Sequence, residues 1–195
     1  RIMIFNNLLN LINNSYILSK KKIHSIYLSS NIYNRNITSS VVGSLEYYPS
    51  PNLLDSLIKF DKKKINIKNY SLNKIWDNKN LKKRDYRNLN NFFWLFSLDL
   101  KSSKKDTQNI ILQWIDINHR YNSESWEVDI VAKRIIAWIS NSRLTYEDAN
   151  TEYKNKFDGV IKKQINHLIN EIEGSEWVDD KMIGCAAIIL TGLSY

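Results

Sequence analysis

Residues 126–139 read WEVDIVAKRIIAWI, and this stretch decides the fold class. Its apolar residues recur every three to four positions, which predicts a helix over about 127–142 that buries Val131, Ile135 and Trp138. Arg134 stands one helical turn from Ile130 and one from Trp138. A basic residue on such a face can pair with a carboxylate or sulfate, or be a plain surface arginine. Trp126 sits at the junction with the preceding polar loop, beside Glu127.

Working outward, the same periodicity recurs on both sides. Leu89, Phe92, Phe93, Phe96 and Leu100 form one helical stripe. Ser103 precedes a helix over 104–117 with Ile110, Ile111, Trp114 and Ile115 inside. Residues 118–125 are a polar loop. Thr145 is placed to cap a helix over about 146–172 carrying Phe157, Val160, Ile161, Ile165, Leu168 and Ile172, and Gly174 to end it. A last helix runs from about 178. Five such helices joined by short loops make antiparallel hairpins, and no fixed repeat period links them. The expected fold is all-α.

Toward the N-terminus, Ile4, Phe5, Leu8, Leu9 and Ile12 form a short stripe over 3–12, and Lys20–Lys22 reads as a solvated turn or helix end. Residues 23–49 are mixed. Ser50-Pro51 opens a short helix over 51–59, followed by an alternating, strand-like segment near 60–68. Residues 68–86 read as a long polar loop carrying Trp76. The expected organisation is a leader over 1–49 and a helical domain over 50–195.

Composition narrows the class. The chain has 195 residues, with only five Gly and two Pro, too little punctuation for a turn-rich sheet protein. Its net charge of +8 attracts polyanions, whether nucleic acid, anionic lipid or acidic polysaccharide. Much of that charge reads as the Lys and Asn usage of an AT-rich genome. The lysines are dispersed, which argues against nucleic acid as the partner. A single cysteine, Cys185, excludes an internal disulfide and a multi-cysteine zinc site. Its apolar neighbours make it a small core residue. No run is long and apolar enough for a membrane span. The segment to Leu18 is a poor signal peptide, so either a periplasmic or a cytoplasmic location fits. The start at Arg1 and the apolar end over 188–195 read as a chain trimmed from a longer one.

No phosphate loop, metalloprotease motif or serine elbow occurs. His24, His119 and His167 are scattered, and His167 reads as structural. The pair His119-Arg120 lies in a loop between helices, where functional residues collect. Trp114 and Trp138 read as core. Trp94 and Trp126 are candidates to stack on sugar rings, whose C–H faces suit an indole face.

In order and spacing, these segments resemble the heparinase II/III-like polysaccharide lyases. Trp76-Asp77 followed by the aromatic helix over 90–100, then 111–115, then the Trp126…Arg134…Trp138 helix, then 162–168 and 182–193, follow the family's order over about residues 50–195. The resemblance implies an incomplete (α/α) toroid, continued by a C-terminal β-sandwich domain, with an acidic polysaccharide in the cleft between them. It implies β-elimination of a uronate. Taken with the readings above, it gives substrate-facing roles to Asn90, Trp94, His119, Trp126, Arg134, Asp180 and Lys181. Two departures stand out. Asn90 replaces a His of the family, and residues 178–181 read VDDK where many members have Asn-His. Asp180 and Lys181 therefore fit an altered site or, preferably, the charged start of a helix. No cofactor is demanded by this segment, and catalysis by it alone is not expected. The alternative is a non-catalytic helical scaffold for a protein or a polyanion.

Overall fold

The computed structural model describes residues 2–38, 43–47, 76, 81–98 and 104–195, with side chains from residue 11 onward. Every regular element among them is helical, and no strand occurs among the described residues. The expected helix over 51–59 and the strand-like segment near 60–68 lie outside them. So does Leu100. The contacts divide the chain into two compact units, 1–36 and 37–195.

The first unit is built on α1 (Ile2–Leu28) and the start of α2 (Asn31–Ile37). Helix α1 runs unbroken through Lys20–Lys22, which are exposed within it and do not end it. The expected short helix over 3–12 is therefore only its beginning. Ser30 starts α2 by accepting the Tyr33 amide on its hydroxyl, at 3.1 Å.

The second unit holds α3 (Lys83–Asn90), a 3₁₀ turn (Phe93–Ser97), α4 (Lys104–Asn118), α5 (Val128–Ser140), the short α6 (Ser142–Thr145), α7 (Thr151–Glu171) and α8 (Val178–Ser194). Helix α5 is its centre. Ten consecutive positions of α5, from Ile130 to Ile139, include only one that is not buried, Lys133. Around α5 gathers an aromatic core. The Phe92 ring lies 5.1 Å from Trp138 and 5.3 Å from Trp94, and Trp138 stacks on Phe157 at 5.2 Å. Trp114 and Trp138 are both fully buried, as their helical positions predict.

Three boundaries differ from the periodic reading. The stripe from Leu89 is not one helix. The Asn91 side chain accepts the Phe93 amide at 2.9 Å, and Phe92 takes a left-handed φ of 58°. That local turn breaks α3 from the 3₁₀ turn and drives the Phe92 ring into the core. Part of the supposed loop over 68–86 is helical, because α3 begins at Lys83. Helix α7 starts at Thr151, not 146. Its cap is Asn150, which accepts the Tyr153 amide at 2.8 Å. Thr145 instead donates its hydroxyl to the Trp138 carbonyl at 2.7 Å. A closing 3₁₀ turn, Ile172–Gly174, follows α7.

Helix α8 packs mainly on α5. The face it turns inward carries small residues, Gly184, Ala187, Thr191 and Ser194. Its C-terminal end receives residues 43–47, whose Glu46 amide donates to the Ser194 carbonyl at 2.8 Å. Nearby, the Asp158 carboxylate accepts hydroxyls from Tyr146 at 2.8 Å and Tyr195 at 2.7 Å. Burial, reinforced by the bond to Asp158, pushes the Tyr146 phenol up to about 12. Among the described residues no helix is long and apolar enough to cross a membrane.

Candidate functional site

Arg134 is the joint on which the site is built. It is fully buried in α5. Its Nε donates to Gln164 Oε1 of α7 at 3.0 Å. Its Nη1 donates to the carbonyls of Asn90 at 2.9 Å and Ser125 at 3.0 Å. The guanidinium lies over the Trp114 ring, 4.0 Å from its centroid. One side chain thus ties the end of α3, the 119–127 loop, α4 and α7 together. Full burial lowers its pKa, with Tyr86 acting in the opposite sense.

The neighbours of Arg134 are used up in the same way. Asn90 accepts the Trp114 indole N–H at 2.8 Å and donates to the Tyr86 carbonyl at 2.9 Å. Trp94 donates to the Leu89 carbonyl at 3.1 Å, and Trp126 to the Asn118 carbonyl at 3.0 Å. The His167 Nε2 donates to the Trp126 carbonyl at 2.9 Å, the structural role its position predicts.

Asn90, Trp94, Trp126 and Arg134 were expected to face a ligand. They are instead 1%, 6%, 1% and 0% exposed, and their polar atoms bind main chain and core side chains, except Arg134 Nη2, which is buried without a partner. For Trp94, Trp126 and Arg134 this corrects the expectation, since they hold up the wall of a site and do not offer a stacking face to solvent, whereas Asn90 lines the smaller of two hollows beside them. The physical reason is that an indole N–H or a guanidinium taken into the core must find acceptors there.

In front of this joint lies a cleft. Two hollows of about 420 and 290 Å³ share Trp76 and Tyr86. The larger is bordered by Lys83, Arg87, Glu124 and Glu127. The smaller is lined also by Asn90, Asn118, Arg120, Tyr121 and Asn122. Trp76 is held by its indole N–H on the Ile110 carbonyl at 3.1 Å and by the Phe92 ring at 5.4 Å. Trp76, Tyr86 and Tyr121 are half-buried, so each keeps some ring surface in the open.

The electrostatics are mixed. Arg87 pairs with Glu127 and, at 2.8 Å, with Asp129. Lys133 also reaches Asp129, at 3.1 Å. Burial raises the Tyr86 pKa, and Glu124 raises it further. Ser125, Arg134 and Asn90 pull it back less strongly. Tyr86 is therefore a protonated donor at neutral pH. Burial also raises Tyr121, with a lesser push from Glu171. Behind the 119–121 loop, Lys163 donates to the His119 carbonyl at 2.5 Å. Burial, with the charge of Arg120, lowers the Lys163 pKa to about 8.

The remaining expected residues lie apart from the cleft. His119 is exposed, its Nδ1 3.2 Å from the Asp116 carbonyl, while its neighbour Arg120 borders the smaller hollow. Asp180 and Lys181 sit in the first turn of α8. Asp180 accepts the Ser175 hydroxyl at 3.4 Å, and burial, then Asp129, raises its pKa. Acidic residues at that helix start suit the helix dipole. Sequence reasoning missed Tyr86, Arg87 and Tyr121. Tyr86 and Arg87 carried no signal beyond a polar stretch. Among the described residues no group of three or more His, Cys, Asp or Glu is placed to hold a metal ion.

Set against protein-family models, curated proteins and solved structures, the chain matches none of them.

Proposed function

We propose that this chain forms the helical wall of a carbohydrate cleft, in a polysaccharide lyase that acts on uronate-containing polymers. The observation that carries the reading is the character of the cleft. Three half-buried aromatic rings, Trp76, Tyr86 and Tyr121, stand with Arg120 on one groove. Aromatic rings stack on the apolar C–H faces of sugars, and a guanidinium pairs with a carboxylate in a bidentate manner. The reading adopts the toroid-like arrangement and the β-sandwich partner that the family resemblance implies.

The chemistry assigns roles. In β-elimination a base takes the C5 proton, a C4–C5 double bond forms, and the C4–O bond breaks. The departing oxygen needs a proton. Tyr86, held protonated by burial, is our choice of donor. Arg120 is our choice to neutralise the uronate carboxylate, which makes C5–H acidic enough to lose. The base is assigned to the opposite wall.

The test separates binding from chemistry. The protein is titrated calorimetrically with oligosaccharides of heparin, chondroitin sulfate, hyaluronan and alginate. The ultraviolet absorbance of the unsaturated product is followed with the parent polymers. Arg120→Ala should weaken uronate binding by about tenfold. Tyr86→Phe should keep binding and lose turnover. Binding without any rise in absorbance would remove the lyase reading and keep the carbohydrate wall. No binding to any polymer would remove both. The apolar outer face of α8 favours a second reading, a scaffold that docks a protein.

A further inference from the structure

Helix α8 is turned inside out for a helix of a single chain. A set of its large apolar side chains points away from the core, while Ile183, Ile188 and Leu190 are half-buried at its flanks. Trp177 is 71% exposed, Val178 69%, Met182 67%, Ile189 64% and Leu193 66%. Cys185, expected in the core, is instead exposed between them, as is Ala186, because it lies on the face of α8 opposite Gly184 and Ala187. On a helical wheel the residues from Val178 to Leu193 fall in one stripe about 100° wide, the width of a core-facing surface. The opposite face, with Gly184 and Ala187, is already spent on α5.

We propose that this stripe is a homodimer interface, in which α8 packs antiparallel on α8 of a second copy about a two-fold axis near Cys185. Three observations single out that partner.

The first is spacing. The stripe is mirror-symmetric about the Cys185–Ala186 bond. Val178 lies as far before it as Leu193 lies after it, and Met182 as far before it as Ile189 after it. An isologous two-fold contact requires such self-complementarity, because residue i meets j and j meets i. In an antiparallel pair centred there, Val178 meets Leu193 of the second copy, and Met182 meets Ile189.

The second is charge. The charged residues of α8 are Asp179, Asp180 and Lys181, all in the first turn, and none follows to Ser194. A parallel pair would set the two aspartate pairs against their own copies. An antiparallel pair separates them by roughly 20 Å at 1.5 Å per residue, and opposes the two helix dipoles.

The third is area. Exposed side chains of this size offer on the order of 100–150 Å² each, so the stripe supplies roughly 600 Å² per copy, against the about 800 Å² that a specific interface buries per partner.

The single cysteine makes the test direct. Sedimentation at about 0.1 mM should show a dimer, and Ile189→Glu should return it to monomer. Position 189 is open to solvent, so the variant is expected to fold, and far-ultraviolet circular dichroism checks that it does. Met182→Lys is the second variant, with the same expected outcome. Mild copper-catalysed oxidation of the unaltered chain should give a Cys185-linked dimer, absent in Cys185→Ser. In the Cys185→Ser background, cysteines at both Val178 and Leu193 should cross-link between copies, while a cysteine at Val178 alone should not. A monomer at that concentration overturns the proposal. So does a dimer that survives both charged substitutions, or cross-linking through position 178 alone, which marks a parallel pair.

Discussion

Helices α5 and α8 lie against each other and solve opposite problems. In α5 every large apolar side chain from Ile130 to Ile139 is buried, and so is a charge, Arg134. In α8 the small side chains go inward, while Val178, Met182, Ile189 and Leu193 face out. Both helices are rich in Ile and Ala, and both repeat at helical spacing. Hydrophobic periodicity identifies a face. It does not say whether that face meets this chain or another. The deciding feature is close approach. A Cβ added at Gly184 would lie 2.7 Å from Ile172 Cδ1, which only glycine tolerates without a shift.

The strongest way to break the α5 side of this contrast is at Arg134. Arg134→Ala leaves the Asn90 and Ser125 carbonyls without their donor and opens a cavity beside Trp114. The expected loss is about 4 kcal/mol in urea unfolding. A loss below about 1 kcal/mol would remove Arg134 from its place as the joint of the cleft wall.

Gly184→Ala tests the α8 side. Helix propensity alone favours Ala by up to about 1 kcal/mol. Overlap with Ile172 costs about 1–3 kcal/mol, so a net loss of about 1 kcal/mol is expected. Ile172→Val removes the methyl at 2.7 Å. In that background Gly184→Ala should become neutral or stabilising, a coupling that a double-mutant cycle measures. Equal cost in both backgrounds would mean that close packing does not fix the inner face.

The same contrast explains what the sequence could show. The all-α class and the helices around Ile110, Val131 and Phe157 follow from apolar spacing, because each buries one contiguous stripe. The break at Phe92 was hidden, since it rests on an Asn91 side-chain bond and not on polarity. The start of α7 was misplaced for a similar reason: Thr145 and Asn150 are both plausible caps, and only tertiary contacts send the Thr145 hydroxyl to Trp138. In the candidate site, aromatic and basic residues were legible as a class, but not their direction. Trp126 looked available because it borders a loop, and Arg134 because a basic residue on a helix face can pair with an anion, whereas Tyr86 and Tyr121 looked ordinary. Which ring ends up in a cleft depends on contacts across more than 20 residues, such as Arg134 with Gln164.

Lys163 sharpens the comparison of buried cations. Its pKa is depressed to about 8, so below that pH both folded and unfolded chains carry the proton and the burial penalty is fully present. As pH rises from about 8 toward 10, the folded lysine loses its proton while the unfolded one keeps it. Lys163 then contributes rising stability, at most about 1.4 kcal/mol per pH unit. Unfolding of Lys163→Met compared with the parent chain at pH 7.5, 8.5 and 9.5 should show that slope in the parent only. Parallel profiles would mean that Lys163 is solvated in the folded chain.

The smallest effect is expected on the outer face of α8. Met182→Ser replaces a side chain that is 67% exposed, so within one chain it should change stability by no more than about 0.5 kcal/mol. That holds at protein concentrations too low for association. As concentration rises, anything that binds only the folded state adds stability by mass action. The parent chain should therefore melt at increasing temperature with concentration, and Met182→Ser should rise less steeply. If the two melt alike at every concentration, the stripe contributes nothing to a partner. If Met182→Ser is already destabilised at high dilution, Met182 is packed within its own chain, and the contrast between α5 and α8 disappears.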